Sequence, residues 1–164
     1  MKLYTLTRRQ IVKKPLHEVF PFFSKPENLQ LLNPKNLGFH ILSPSPITMR
    51  EGAIIDYVIT IAGFPVRWTT MITCYEPPYR FVDLQLKGPY SYWHHTHTFS
   101  ETDDGTIITD EVMYSMPLGA IGRIVHGLYV EQQLNTIFDR RSSMIETIFT
   151  DHIPFGTQQD ITSF

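Results

Sequence analysis

The chain of 164 residues carries a single cysteine, Cys74. That excludes an internal disulfide and a multi-cysteine zinc site, and it fits a reducing cytoplasm, the location expected here. Charge is also scarce, at 18% of residues, against about 25% in an average domain. Fourteen basic and sixteen acidic side chains leave a net charge of −2, with no surplus for phosphate backbones or anionic lipid, so no nucleic-acid partner is expected. Residues 1–10 lack the apolar core of a signal peptide, and no apolar run elsewhere suffices to cross a bilayer, so neither export nor membrane insertion is expected. A phosphate-cradling glycine loop, a dinucleotide fingerprint, a nucleophile elbow and a Ser/His/Asp signature are all missing, so no cofactor is expected.

What the chain does have is rings: eleven Phe, eight Tyr and two Trp, 13% of all residues. Such an excess serves either a solid aromatic core or the wall of a cavity for an apolar ligand, and composition alone leaves both open.

The length suits one domain, read as residues 1–150, with 151–164 as a mobile tail lacking any period. A first, edge-like strand covers Lys2 to Val12. Pro15 then opens a helix carrying Leu16, Val19, Phe20 and Phe23, which Pro21 must kink or end, and a short helical turn spans Glu27 to Leu32. From Gly38 to Met116 the period is two, broken by Pro, Gly and Asp turn signals. This predicts six antiparallel strands near 38–43, 53–62, 65–76, 79–87, 90–101 and 105–116. Past Pro117 the period turns helical for about thirty residues, with Ile121, Ile124, Val125, Leu128, Asn135, Phe138, Ile145 and Phe149 assigned to one inward stripe. The order strand, two short helices, six strands, long helix predicts an α+β helix-grip fold: a curved antiparallel sheet of about seven strands around a C-terminal helix.

Several segments resemble the START-like or SRPBCC superfamily. They are Glu76-Pro77-Pro78-Tyr79-Arg80-Phe81-Val82-Asp83, Gly88-Pro89-Tyr90, Trp93-His94-His95-Thr96-His97-Thr98-Phe99 and Thr109-Asp110-Glu111-Val112-Met113-Tyr114, continued by Gln133-Leu134-Asn135-Thr136-Ile137-Phe138-Asp139-Arg140-Arg141. The resemblance covers roughly residues 2 to 150 and is nearest to small bacterial proteins labelled cyclase-like or cell-division-inhibitor-like. It implies the pollen-allergen fold and a hydrophobic or amphipathic ligand such as a lipid, quinone or polyketide. It brings no catalytic residue with it, and His94 stands where similar sequences commonly have Glu.

Alternation on the strand Tyr90 to Glu101 sets Trp93, His95, His97 and Phe99 on one face, taken as inward. A two-residue loop at Asp104-Gly105 sets Phe99 opposite Asp110, His97 opposite Val112 and His95 opposite Tyr114; a four-residue loop sets His97 opposite Asp110. Either way Asp110, His95 and His97 form one polar cluster with Trp93, Phe99, Val112 and Tyr114. These three are the candidate catalytic residues, as general acid or base in a cyclase or dehydratase with Tyr114 donating to a substrate oxygen, and a satisfied polar core is the alternative. The His-x-His pair is also half of a metal site, with Asp110 or Asp83 as oxygen ligand, but without a clear third and fourth ligand no metal is assigned. Asp83 and Gln85 face either the cavity or solvent, and the apolar run Val82, Leu84, Leu86 slightly favours solvent. Tyr57, Trp68, Leu128 and Phe138 complete the expected cavity wall, while Arg123, Arg140 and Arg141 are read as the solvated helix face. A third expectation, a regulatory interaction module, requires an exposed apolar patch. Oligomeric state is not readable.

Overall fold

The computed structural model describes residues 2–33 and 37–150, so the expected tail lies outside the described residues. β1 (Tyr4–Val12) leads into α1 (Leu16–Phe23), a 3-10 turn (Pro26–Asn28) and α2 (Leu29–Leu32). Pro15 precedes α1, and Pro21 lies inside it, two residues before its end at Phe23. The strands β2 (His40–Ile41), β3 (Ile54–Ile61), β4 (Phe64–Glu76), β5 (Arg80–Lys87), β6 (Tyr92–Thr102) and β7 (Gly105–Ser115) follow. The helical region then comprises α3 (Gly119–Val125), a π-helical turn (His126–Val130) and α4 (Glu131–Thr150).

One antiparallel sheet runs β1-β7-β6-β5-β4-β3-β2, and β1 is an edge, as its charged alternation predicts. The strand expected over 38–43 shrinks to His40–Ile41, because Leu42 and Ser43 both donate their N–H to the Asp56 carbonyl and pairing stops there. The β6–β7 loop is Asp103-Asp104, one residue earlier than expected, with Thr102 facing Gly105 and His97 facing Asp110. Gly105 makes this turn possible: its φ is +128°, and a Cβ there would collide with the Val12 carbonyl.

α4 is tied to the sheet edge by polar bonds. Arg8 donates to Asn135 Oδ1 at 2.7 Å and to Asp139 Oδ1 at 3.2 Å, and Gln10 donates to the Ser142 carbonyl. Two packed clusters flank the interior. One joins Val19, Phe20 and Phe22 of α1 to Phe81, Phe99, Ile108 and the end of α4. The other joins Trp68, Trp93, Val112 and Tyr114 to Val130, Leu134 and Phe138.

The inward helix stripe differs from the expected one. Phe138, Ile145 and Phe149 are buried, but Ile121, Ile124, Val125 and Leu128 are exposed, and Gly122, His126, Val130 and Leu134 take the inner positions. Leu128 lies in the π-helical turn, where each residue advances the helix by less than the ~100° of an α-helix, so a stripe drawn at constant period over 121–149 does not keep its phase through this turn. Gly122 is needed where α3 meets the preceding segment, since a Cβ there would strike the Pro117 carbonyl.

Candidate functional site

Between the two packed clusters lies a cavity of about 150 Å³, bounded by α1, α2, β3 to β7 and α4. Its lining includes exposed Lys25, so it reaches the surface between the short helices and α4. The wall is mostly apolar, with Tyr57, Trp68, Trp93, Leu134 and Phe138 among it. Trp68 meets Trp93 edge-on at 5.2 Å between ring centroids and stacks on Tyr57 at 5.7 Å. Each ring braces the next, so the aromatic wall is stiff.

The sheet floor of the cavity is polar. Asp83, His95, His97 and Asp110 all line it, and they come together because β5, β6 and β7 are adjacent and in register: Asp83 faces His95 across one pair, His97 faces Asp110 across the next. The imidazoles lie against each other at a tilt of 38° with centroids 3.8 Å apart, and His97 stacks on Phe81 at 4.1 Å. Asp110 Oδ1 lies 2.9 Å from His95 Nε2 and 2.8 Å from His97 Nδ1, on one edge of the pair. On the opposite edge, Asp83 Oδ2 lies 3.2 Å from His97 Nε2 and 3.5 Å from His95 Nδ1. The contact at His97 Nδ1 is close without being a directed hydrogen bond.

The charges follow from these contacts. Burial opposes ionisation of Asp110, yet the hydrogen bond from His95 and the close contact with His97 outweigh it and hold the carboxyl far below its usual range; Asp83 is lowered for the same kind of reason, with Arg141 contributing. Burial pushes His95 down, and the neighbouring His97 pushes it further. His97 moves up despite burial, because the carboxylates of Asp110 and Asp83 both lie against it.

Of the expected cavity residues, Tyr57, Trp68, Trp93, His95, His97, Asp110 and Phe138 line the space. Phe99 instead fills the solid cluster against Phe20 and Phe23, each with centroids 5.2 Å away. Val112 is fully buried behind the floor, and Tyr114 is turned to His126, with which it shares a hydrogen bond of 2.8 Å. Leu128 is 77% exposed and touches no part of the cavity, a correction that follows from the helix phase. Asp83 points inward, against the favoured solvent reading: Phe81 and Asp83 share the inner face, and β4 is irregular opposite them, between Ile72 and Cys74. Gln85 folds back instead, donating to the Tyr90 carbonyl at 2.7 Å. Arg141, assigned to the solvated face, lines the cavity beside Phe138, with its guanidinium 5.3 Å from that ring. Its inward turn was detectable, since Arg141 follows Leu134 and Phe138 at helical spacing.

Among the described residues, two buried polar atoms of wall side chains have no protein hydrogen-bond partner: the indole N–H of Trp68 and Nε of Arg141. Both are buried donors on side chains that line the cavity.

Solved structures with this architecture include TTHA0849 from Thermus thermophilus, 15% identical, covering 92% of this chain and all of that one with a TM-score of 0.67. A point mutant of norcoclaurine synthase from Thalictrum flavum, in complex with a transition-state analogue, is 15% identical over 88% of this chain and 94% of its own, with a TM-score of 0.62. The di-domain ARO/CYC StfQ of the steffimycin biosynthetic pathway is 11% identical with a TM-score of 0.68; the match covers 92% of this chain and 52% of StfQ. No curated protein matches the chain in sequence. The sequence pattern of the polyketide cyclase / dehydrase and lipid transport family matches residues 12–138. That span runs from the end of β1 into α4 and takes in every residue of the polar floor, and the chain belongs to that family.

Proposed function

We propose that the protein binds a compact, ring-containing small molecule carrying at least one acceptor oxygen, such as a quinone, phenol or polyketide-like aromatic. The observation that carries this reading is an aromatic-walled cavity whose lining also includes Arg141 and the polar floor of Asp83, His95, His97 and Asp110. A space of about 150 Å³ is of the size that admits a benzene-scale guest elsewhere, while a longer aliphatic chain must extend through the open end. Bulk apolarity supplies affinity and the few polar groups supply orientation.

Trp68 and Trp93 make the test direct. Titrating hydroxynaphthalenes, benzoquinones and medium-chain fatty acids into the protein is expected to quench tryptophan fluorescence saturably at micromolar concentration, ring compounds more strongly than acids. Arg141→Met is expected to weaken binding of the oxygenated rings about tenfold, the range of one charge-assisted hydrogen bond. Absence of saturable quenching across the panel overturns the reading.

A second reading, acid–base catalysis on the bound ring, is favoured by one observation. His95 and His97 face the cavity with their proton affinities pushed in opposite directions, the arrangement that provides an acid and a base side by side. StfQ is an ARO/CYC and norcoclaurine synthase is a synthase, so this fold accommodates such chemistry. The reading predicts turnover of a cyclisable poly-β-ketone mimic that His97→Gln abolishes while leaving quenching intact.

A further inference from the structure

The geometry points to a mononuclear site for a divalent first-row transition metal on the cavity floor, ligated by Asp83 Oδ2, His95 Nδ1 and His97 Nε2. These residues offer three ligand atoms that all lie within 4.8 Å of one another, with Asp83 Oδ2 at 3.2 Å from His97 Nε2 and 3.5 Å from His95 Nδ1. Metal–nitrogen and metal–oxygen bonds of about 2.0–2.2 Å set adjacent ligand atoms about 3.0–3.5 Å apart, so these separations are already those of a coordination face.

Asp110 supports the assignment from the other side of the rings. Its Oδ1 reaches His95 Nε2 at 2.9 Å and His97 Nδ1 at 2.8 Å, the two nitrogens left over if the other pair binds metal. A carboxylate on the far ring nitrogen is what orients a metal-bound imidazole and fixes which nitrogen carries the proton. One aspartate serves both histidines here. The contact to His95 is a hydrogen bond, while the one to His97 Nδ1 is close without being directed.

Two imidazoles and one carboxylate suit Zn²⁺, Co²⁺ or Fe²⁺ and disfavour Mg²⁺ and Ca²⁺, which prefer oxygen. All four side chains line the cavity, so the remaining coordination positions lie toward it. The proposal goes beyond the ligand reading and does not depend on it: metal uptake is read on the protein alone, and ring binding is read separately in EDTA.

The test uses tag-free full-length protein stripped with EDTA and titrated with Co²⁺. Visible d–d bands saturating at one equivalent are expected, abolished by one equivalent of Zn²⁺, together with a rise in melting temperature on adding Zn²⁺. His97→Ala and Asp83→Asn are each expected to weaken binding at least about tenfold, since loss of orienting partners alone costs ~10–100-fold. His94→Ala, on the opposite face of β6, is expected to bind as the parent does. Asp83→Asn guards against a folding failure of the alanine variant, because it keeps size and shape. No saturable bands in the parent overturn the proposal, as do bands that survive both Asp83→Asn and His97→Ala.

Discussion

Asp110 holds both histidines from a single oxygen, so removing it strands two buried rings together. Asp110→Ala is expected to cost about 3–5 kcal/mol in the metal-free protein, the range for breaking a buried ion pair from one side. Urea denaturation in EDTA measures it, and a loss below about 1 kcal/mol would mark the cluster as structurally idle. His126 is a separate case. Its ring stacks on Tyr4 at 3.5 Å and shares a hydrogen bond with Tyr114, whose hydroxyl burial pushes up to about 12. Burial lowers the pKa of His126 itself. The unfolded chain therefore takes up that proton first, so the stability contributed by neutral His126 is present above the ordinary imidazole range and is lost as pH falls toward the lower native value. The melting temperature of the parent is expected to fall more between about pH 7.5 and about pH 5.5 than that of His126→Gln, and an equal fall in both would contradict this.

At the scale of elements, α3, the π turn and α4 divide the helical region into an outward and an inward part. Leu128→Gln is expected to leave the melting temperature within about 2 °C of the parent, because surface changes stay near ±0.5 kcal/mol. Leu134→Ala, from the buried side, is expected to cost about 2–5 kcal/mol. A reversal of these two results would restore the stripe drawn from periodicity. Long strands were legible in the sequence because turn residues bracket them and alternation repeats within them; β6 and β7 also revealed the shared face of His95, His97 and Asp110. Helix phase was harder to read, since Ile121, Ile124 and Leu128 are apolar yet exposed, while Gly122 and His126 face inward. Asp83 was hidden for another reason: both faces of β5 begin apolar, with Phe81 and Val82 both buried, so alternation alone could not say which faced the cavity.

For the whole molecule, a ligand filling the cavity contacts both packed clusters and stabilises the fold by mass action. At a hundredfold excess over Kd the gain is about 2.7 kcal/mol, a rise of roughly 5–11 °C for a domain of this size, readable by differential scanning fluorimetry with any compound that quenches the tryptophans. The sheet order has a consequence in time as well as in space. β1 pairs along its whole length with β7, Tyr4 meeting Tyr114 and Val12 meeting Thr106, so of the seven strands the first synthesised must wait for the last. At about 5–20 residues per second, the hundred-odd intervening residues keep β1 without its partner for roughly 5–20 s on the ribosome. The hairpin of β6 and β7 is local, whereas β1 joins β7 across a long sequence separation, the kind of pairing that slows folding.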